Sequence, residues 1–217
     1  MKSKVLLFAL AATALTLTSK AQDKTTFGIR AGVNFTNHNG KAENGDKLEN
    51  ELKAGFNIGV NAEIPVATDF YLQPGLLFST KGAKADEGNS KLNLSYLEVP
   101  INFLYKPTLG DGKLLLGFGP YVGFGISGKH KDDNGDVKVK FKNDVKPDDV
   151  SLTDPRLFLK GLDFGGNLLV GYELSSKLSF QLNAQLGMTN IESKINGVTP
   201  KAKTKNTGFG ISIGYRF

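Results

Sequence analysis

Between Phe27 and Phe217 the chain repeats one pattern eight times: apolar residues at every second position, with small or polar residues between them. The first segment sets Phe27, Ile29, Ala31, Val33 and Phe35 against Gly28, Arg30, Gly32 and Asn34. Successive side chains of a strand point to opposite faces, so a period of two predicts a two-faced strand. The pattern returns as Phe56 to Ile64, Phe70 to Phe78, Leu97 to Tyr105, Leu116 to Ile126, Leu162 to Leu174, Leu178 to Met188 and Phe209 to Phe217. Each run has roughly the 9 to 11 residues that a tilted strand needs to cross a membrane. Past the N-terminus there is no apolar stretch of helical transmembrane length and no sustained helical repeat.

The connections alternate in length. Short turns fall near Pro65 to Asp69, Lys106 to Gly112 and Ser175-Ser176; long polar loops fall near Thr36 to Lys53, Lys81 to Ser90, Lys129 to Lys160 and Asn190 to Asn206. Short turns on one side and long loops on the other predict a closed, antiparallel, up-and-down transmembrane β-barrel of about eight strands, with both chain ends periplasmic and the long loops outside. In the third outside loop, Val137 to Phe141 alternates with lysines, so the flanking strands are expected to run beyond the membrane, and Asp133-Asn134-Gly135 suits a tight turn at the tip.

Soluble eight-stranded barrels alternate as well, and their apolar set lines a ligand cavity. Here the second face is mainly Gly, Asn, Gln and Ser, which suits a confined, hydrogen-bonded lumen better than a water-exposed surface. Charge placement agrees: Arg30, Glu63, Glu98, Asp163, Glu173 and Arg216 all fall on the polar phase. An Arg or Lys at the lipid midplane costs about 2–4 kcal/mol. Buried charges need partners, so these six residues are expected to form an internal network that fills the lumen structurally. Pro74, Pro100 and Pro120 lie inside expected strands and predict bulges or local loss of pairing.

The N-terminus reads as an export signal over residues 1–21, ahead of a barrel domain at 22–217. Lys2 and Lys4 precede the short apolar run Val5 to Leu17, and Ser19-Lys20-Ala21 forms a small-residue cleavage site. Its removal would take away Lys2, Lys4 and Lys20, lowering the formal charge of +6 by three to +3, a value that gives little reason to invoke nucleic acid. The absence of cysteine excludes a disulfide framework, a zinc–thiolate site and a lipoprotein anchor.

No catalytic, cofactor-binding or metal site is expected. His38 and His130 fall in expected outside loops without triad or metal-ligand spacing around them, and read as solvated loop residues. Asp132, Asp133, Asn134 and Asp136 offer oxygens to calcium, yet the spacing departs from an EF-hand loop and no glutamate closes it, so a polar turn is expected. Gly117 to Gly125 is glycine-rich with period two and lacks the dinucleotide fingerprint.

Tyr96-Leu97-Glu98-Val99-Pro100-Ile101, Gly117-Phe118-Gly119-Pro120-Tyr121 and the ending Gly208 to Phe217 resemble the PorT-like outer-membrane β-barrel family of Bacteroidetes. The resemblance covers nearly the whole mature chain through strand motifs, and implies fold and location more than activity. It also implies that Phe217 is the terminal aromatic recognised during barrel assembly, and one branch of the family is associated with secretion at the cell surface. The expectation is a non-enzymatic anchor in contact with outer-membrane lipids, presenting loops to a protein or polysaccharide. A narrow channel, a lipid-modifying barrel enzyme and a soluble periplasmic lipid-binding barrel are the alternatives.

Overall fold

The computed structural model describes residues 24–85, 90–133, 135–151 and 154–217, so the expected signal segment and Asn134 lie outside the described residues. Eight long strands form the wall: β1 (Thr26–Lys41), β2 (Lys53–Ala67), β3 (Phe70–Ala85), β4 (Lys91–Tyr105), β5 (Gly112–Asp132), β6 (Leu162–Glu173), β7 (Leu178–Gly187) and β8 (Lys203–Arg216). Each pairs antiparallel with the next, and β8 pairs back onto β1 from Gly28↔Arg216 to Lys41↔Lys203. The closed circuit leaves no free edge in the wall. In hydrocarbon this is decisive, because each unpaired backbone group would cost several kcal/mol.

The apolar phase faces outward. Leu182 and Phe118 are each 60% exposed, and Ile58, Val60, Leu168, Val170, Phe209 and Ile213 share that surface. Glu63, Gln73, Glu98, Asn102, Asp163, Gln181 and Ser212 are buried inside. A soluble carrier needs the reverse arrangement. Leu104, Leu115 and Leu169 are inward exceptions that pack together against Tyr71.

The three strand prolines interrupt hydrogen bonding without changing register. The β3–β4 ladder passes from Pro74↔Ile101 to Leu77↔Glu98, skipping Pro100, and the β4–β5 ladder passes from Pro100↔Tyr121 to Phe103↔Phe118, skipping Pro120. A proline removes one donor, and these strands absorb that loss locally. The register shifts lie elsewhere, at Pro65/Ala67 and at Ser95/Tyr96.

Several strands outrun the expected membrane spans. β5 extends to Asp132 and turns back through Gly135–Phe141, against which Arg156–Leu159 pairs in parallel. The inner face of this extension supplies Val139, Phe141 and Leu157 to a cluster with Leu94, Tyr96, Leu159 and Ile191, which roofs the barrel mouth. Glycine is required beneath it: a Cβ on Gly125 would lie 2.5 Å from the Phe141 ring. Asp144–Val145 pairs with Lys194–Ile195 and ties two of the long loops together.

Candidate functional site

The interior charges gather into two clusters at different heights. At the terminal side, near the short turns, Lys106 Nζ lies 2.7 Å from Glu63 Oε2 and 3.0 Å from Glu173 Oε2. Arg216, from the last strand, donates to Glu63 Oε1 across the closure. Gln73 donates to Glu63 at 3.1 Å, and Asn102 to Gln73 at 3.3 Å.

At the loop side Lys81 Nζ sits 2.7 Å from Glu98 and 3.2 Å from Asp163. The Tyr121 hydroxyl and Asn206 Nδ2 also donate to Asp163, at 3.1 and 2.9 Å, and Gln185 donates to Glu98 at 2.9 Å. The ammonium of Lys81 stands 4.4 Å from the centre of the Tyr121 ring. Low dielectric strengthens every contact here, and raises the cost of any group left unpaired.

Between the clusters Arg30 donates to Asn183 Oδ1 at 3.2 Å, and Asn183 donates to Ser212 at 2.9 Å. Arg30, Asn34, Asn57, Glu98, Asn102 and Gln185 line a cavity of about 40 Å³. That volume holds a few waters and no larger ligand.

Parity along the strands puts Arg30, Glu63, Glu98, Asp163, Glu173 and Arg216 on one phase, and the closed sheet distributes them over both clusters and the cavity between. Two cations escape that reading. Loop length alone places Lys81 in a loop and Lys106 in a turn, whereas Lys81 lies within β3 and both are buried. With them, the two clusters and the cavity between hold four cations (Arg30, Lys81, Lys106, Arg216) and four carboxylates (Glu63, Glu98, Asp163, Glu173). A signal for both exists in the sequence, since Lys81 is one period beyond Ser79 and Lys106 one period beyond Leu104.

The histidines are not solvated loop residues, because the strands carrying them run past the membrane. His38 lies in β1 and is buried, while His130 lies in β5, half-buried, with Nε2 3.4 Å from Ser90 Oγ. The acids at the hairpin tip serve lysines: Asp136 lies 2.7 Å from Lys129 and 3.7 Å from Lys131. The Lys129 hydrogen bond holds the Asp136 carboxyl below its ordinary value. Among the described residues no group of three or more His, Cys, Asp or Glu is placed to hold a metal ion.

Comparison with solved structures gives likenesses of low identity. Ail, the attachment invasion locus protein of Yersinia pestis, crystallised with the heparin analogue sucrose octasulfate, is 13% identical with a TM-score of 0.44. Neisserial surface protein A is 10% identical with a TM-score of 0.47, and a major outer membrane protein from Thermus thermophilus is 15% identical with a TM-score of 0.44. Each alignment covers 90% of this chain and 100% of the other. No curated protein matched the sequence. The family model for the outer membrane protein beta-barrel domain matches residues 5–217. With the closed eight-stranded wall and its outward apolar face, that match establishes that the chain belongs to the outer membrane protein beta-barrel domain family and is an outer-membrane β-barrel.

Proposed function

We propose that the protein is a non-enzymatic anchor whose filled barrel holds the long loops outside the cell for contact with a protein or surface polysaccharide. The observation that carries this reading is the lumen, where Lys81, Lys106 and Arg216 pair with Glu63, Glu98, Asp163 and Glu173 and the cavity between the two clusters is about 40 Å³. An interior of this kind suits a scaffold, and recognition usually resides in loops held by a rigid scaffold. Within this reading both termini and the short turns are periplasmic, residues 1–21 are removed on export, and outer-membrane lipids surround the wall. The partners do not include nucleic acid, and no cofactor is needed. The resemblance to the PorT-like proteins of Bacteroidetes adds a cell-surface context and no activity.

The small cavity between the clusters favours one competing reading, a narrow channel that opens when an ion pair parts. Planar-bilayer recording of the folded full-length chain separates the two. The anchor reading expects a silent membrane, and steady, reproducible unitary conductance would replace it with the channel.

A further inference from the structure

The outward surface changes character abruptly at the loop-side end of β4 and β5. Up to Leu97, Phe124 and Ile126 it is apolar. The register then shifts at Ser95/Tyr96, where β5 carries an extra residue. Beyond the shift Lys129 and Lys131 are exposed on the outside, while Gly128 and His130 turn toward the mouth.

The pairing lines these lysines up with others. Asn93, Lys129, Lys138 and Arg156 form one cross-strand row, and Lys91 stands opposite Lys131 in the next. Lys91, Lys129, Lys131, Lys138, Lys140 and Arg156 are all exposed. Asp136 answers Lys129 and Lys131, Asp154 answers Arg156, and Asp149, paired with Lys142, also attracts Lys140. Among the described residues the six cations outnumber the three acids that answer them. Across the barrel, Lys41 and Lys203 also stand directly opposite each other and are exposed.

Like charges directly opposite in a sheet repel and weaken the pairing. An anion lodged between them reverses the sign of that interaction, and phosphate oxygens make strong charge-assisted hydrogen bonds. Height and direction narrow the choice of anion. Lys129 is three residues beyond Ile126, about 10 Å along the strand at ~3.3 Å per residue, which is headgroup depth once strand tilt is allowed for. The other face of the extension packs Val139, Phe141 and Leu157 over the mouth, so the lysines point away from the barrel axis, toward neighbouring lipids. The terminal-side rim carries aromatic residues instead, with Phe70 and Tyr105 rings 4.7 Å apart and Tyr215 beside Phe217.

We infer that this loop-side basic rim binds the phosphate groups of lipopolysaccharide in the outer leaflet. The inference rests on the orientation proposed above, with the long loops outside. The test is native mass spectrometry of the folded full-length chain in detergent, using phosphorylated lipid A and its dephosphorylated counterpart as probes. Wild type should retain the phosphorylated form preferentially, with binding that weakens as salt is raised. K129Q/K131Q/K138Q/K140Q should bind it roughly tenfold less or weaker, and the matching Lys→Arg variant should bind as wild type does. Equal retention of the two probes by wild type overturns the inference whether or not the glutamine variant folds, and so does undiminished binding by a folded glutamine variant. Orientation is read separately by labelling K140C on intact cells with an impermeant maleimide. Labelling without lipid A preference removes the rim inference and leaves the orientation standing, whereas labelling only after the periplasm is opened removes both.

Discussion

The two ionic clusters of the lumen use the same residue types under different cover. The loop-side cluster is sealed: Lys81, Glu98 and Asp163 are at most 1% exposed beneath the apolar roof. One cation there serves two carboxylates, with neutral donors from Tyr121 and Asn206 to Asp163 Oδ2 and from Gln185 to Glu98. The terminal-side cluster has two cations for two carboxylates and stands closer to water, with the Glu173 side chain 13% exposed. The cost of losing a charge thus depends on what remains to answer its partner. In the sealed cluster only Lys81 carries positive charge to both acids, whereas at the terminal side Glu63 keeps Arg216 if Lys106 is lost.

Replacing Lys81 should therefore give the largest effect. Lys81→Met leaves Glu98 and Asp163 in a closed space without their cation, and should cost about 3–5 kcal/mol of stability, read by denaturant unfolding of the barrel in lipid vesicles. The triple variant K81M/E98Q/D163N should recover most of that loss, because removing a whole buried ionic group is far milder than stranding part of one. Lys106→Met should cost less, about 1.5–3 kcal/mol, the worth of hydrogen bonds to charged groups. Equal losses at Lys81 and Lys106 would show that cover and spare cations do not set the two clusters apart.

The smallest effect belongs to a half-buried pair in the third long loop, outside the barrel wall. Asp149 is held below the ordinary carboxylate range by its hydrogen bond from Lys142, and next by the backbone N–H of Lys146. A carboxyl depressed in the folded state stabilises above its unfolded value and loses that contribution as pH falls through the folded value. Protease nicking between Lys142 and Val150 should thus rise as pH is lowered from about 5 to about 3, with the barrel remaining folded. An unchanged nicking rate would show that the clasp does not order the loop.

Strand phase is readable because hydrocarbon on one side and a crowded lumen on the other impose opposite demands on neighbouring residues. The contrast fades where a strand leaves the membrane. His38 and Lys81 continue their strands, yet they follow or adjoin positions that no longer need apolar side chains, so they resemble loop residues. Lys106 is disguised for the same reason at the other rim, one step past Leu104. Parity also breaks at Ile126, where the extra residue in β5 reverses which lysines face out, a shift without a distinct sequence mark. The roof is hidden altogether: Leu159 and Ile191 come from separate connections and meet only after the barrel closes. The ion pairs join residues on strands one to three places apart in the closed sheet, so they depend on register between strands, which periodicity within one strand does not encode.

The fold and its location both require that the apolar phase of each strand touch acyl chains while its reverse encloses a filled interior. The chain has no cysteine, so each introduced cysteine carries a unique spin label. Labels at successive positions from Ser179 to Leu186 on β7, in vesicles, should alternate. Phe180, Leu182 and Leu186 should be reached by oxygen dissolved in the acyl region, while Ser179, Gln181 and Asn183 should be shielded from oxygen and from a water-soluble nickel chelate alike. Ready access of the nickel chelate to the second set, or oxygen access with the opposite phase, would refute this arrangement of the barrel wall.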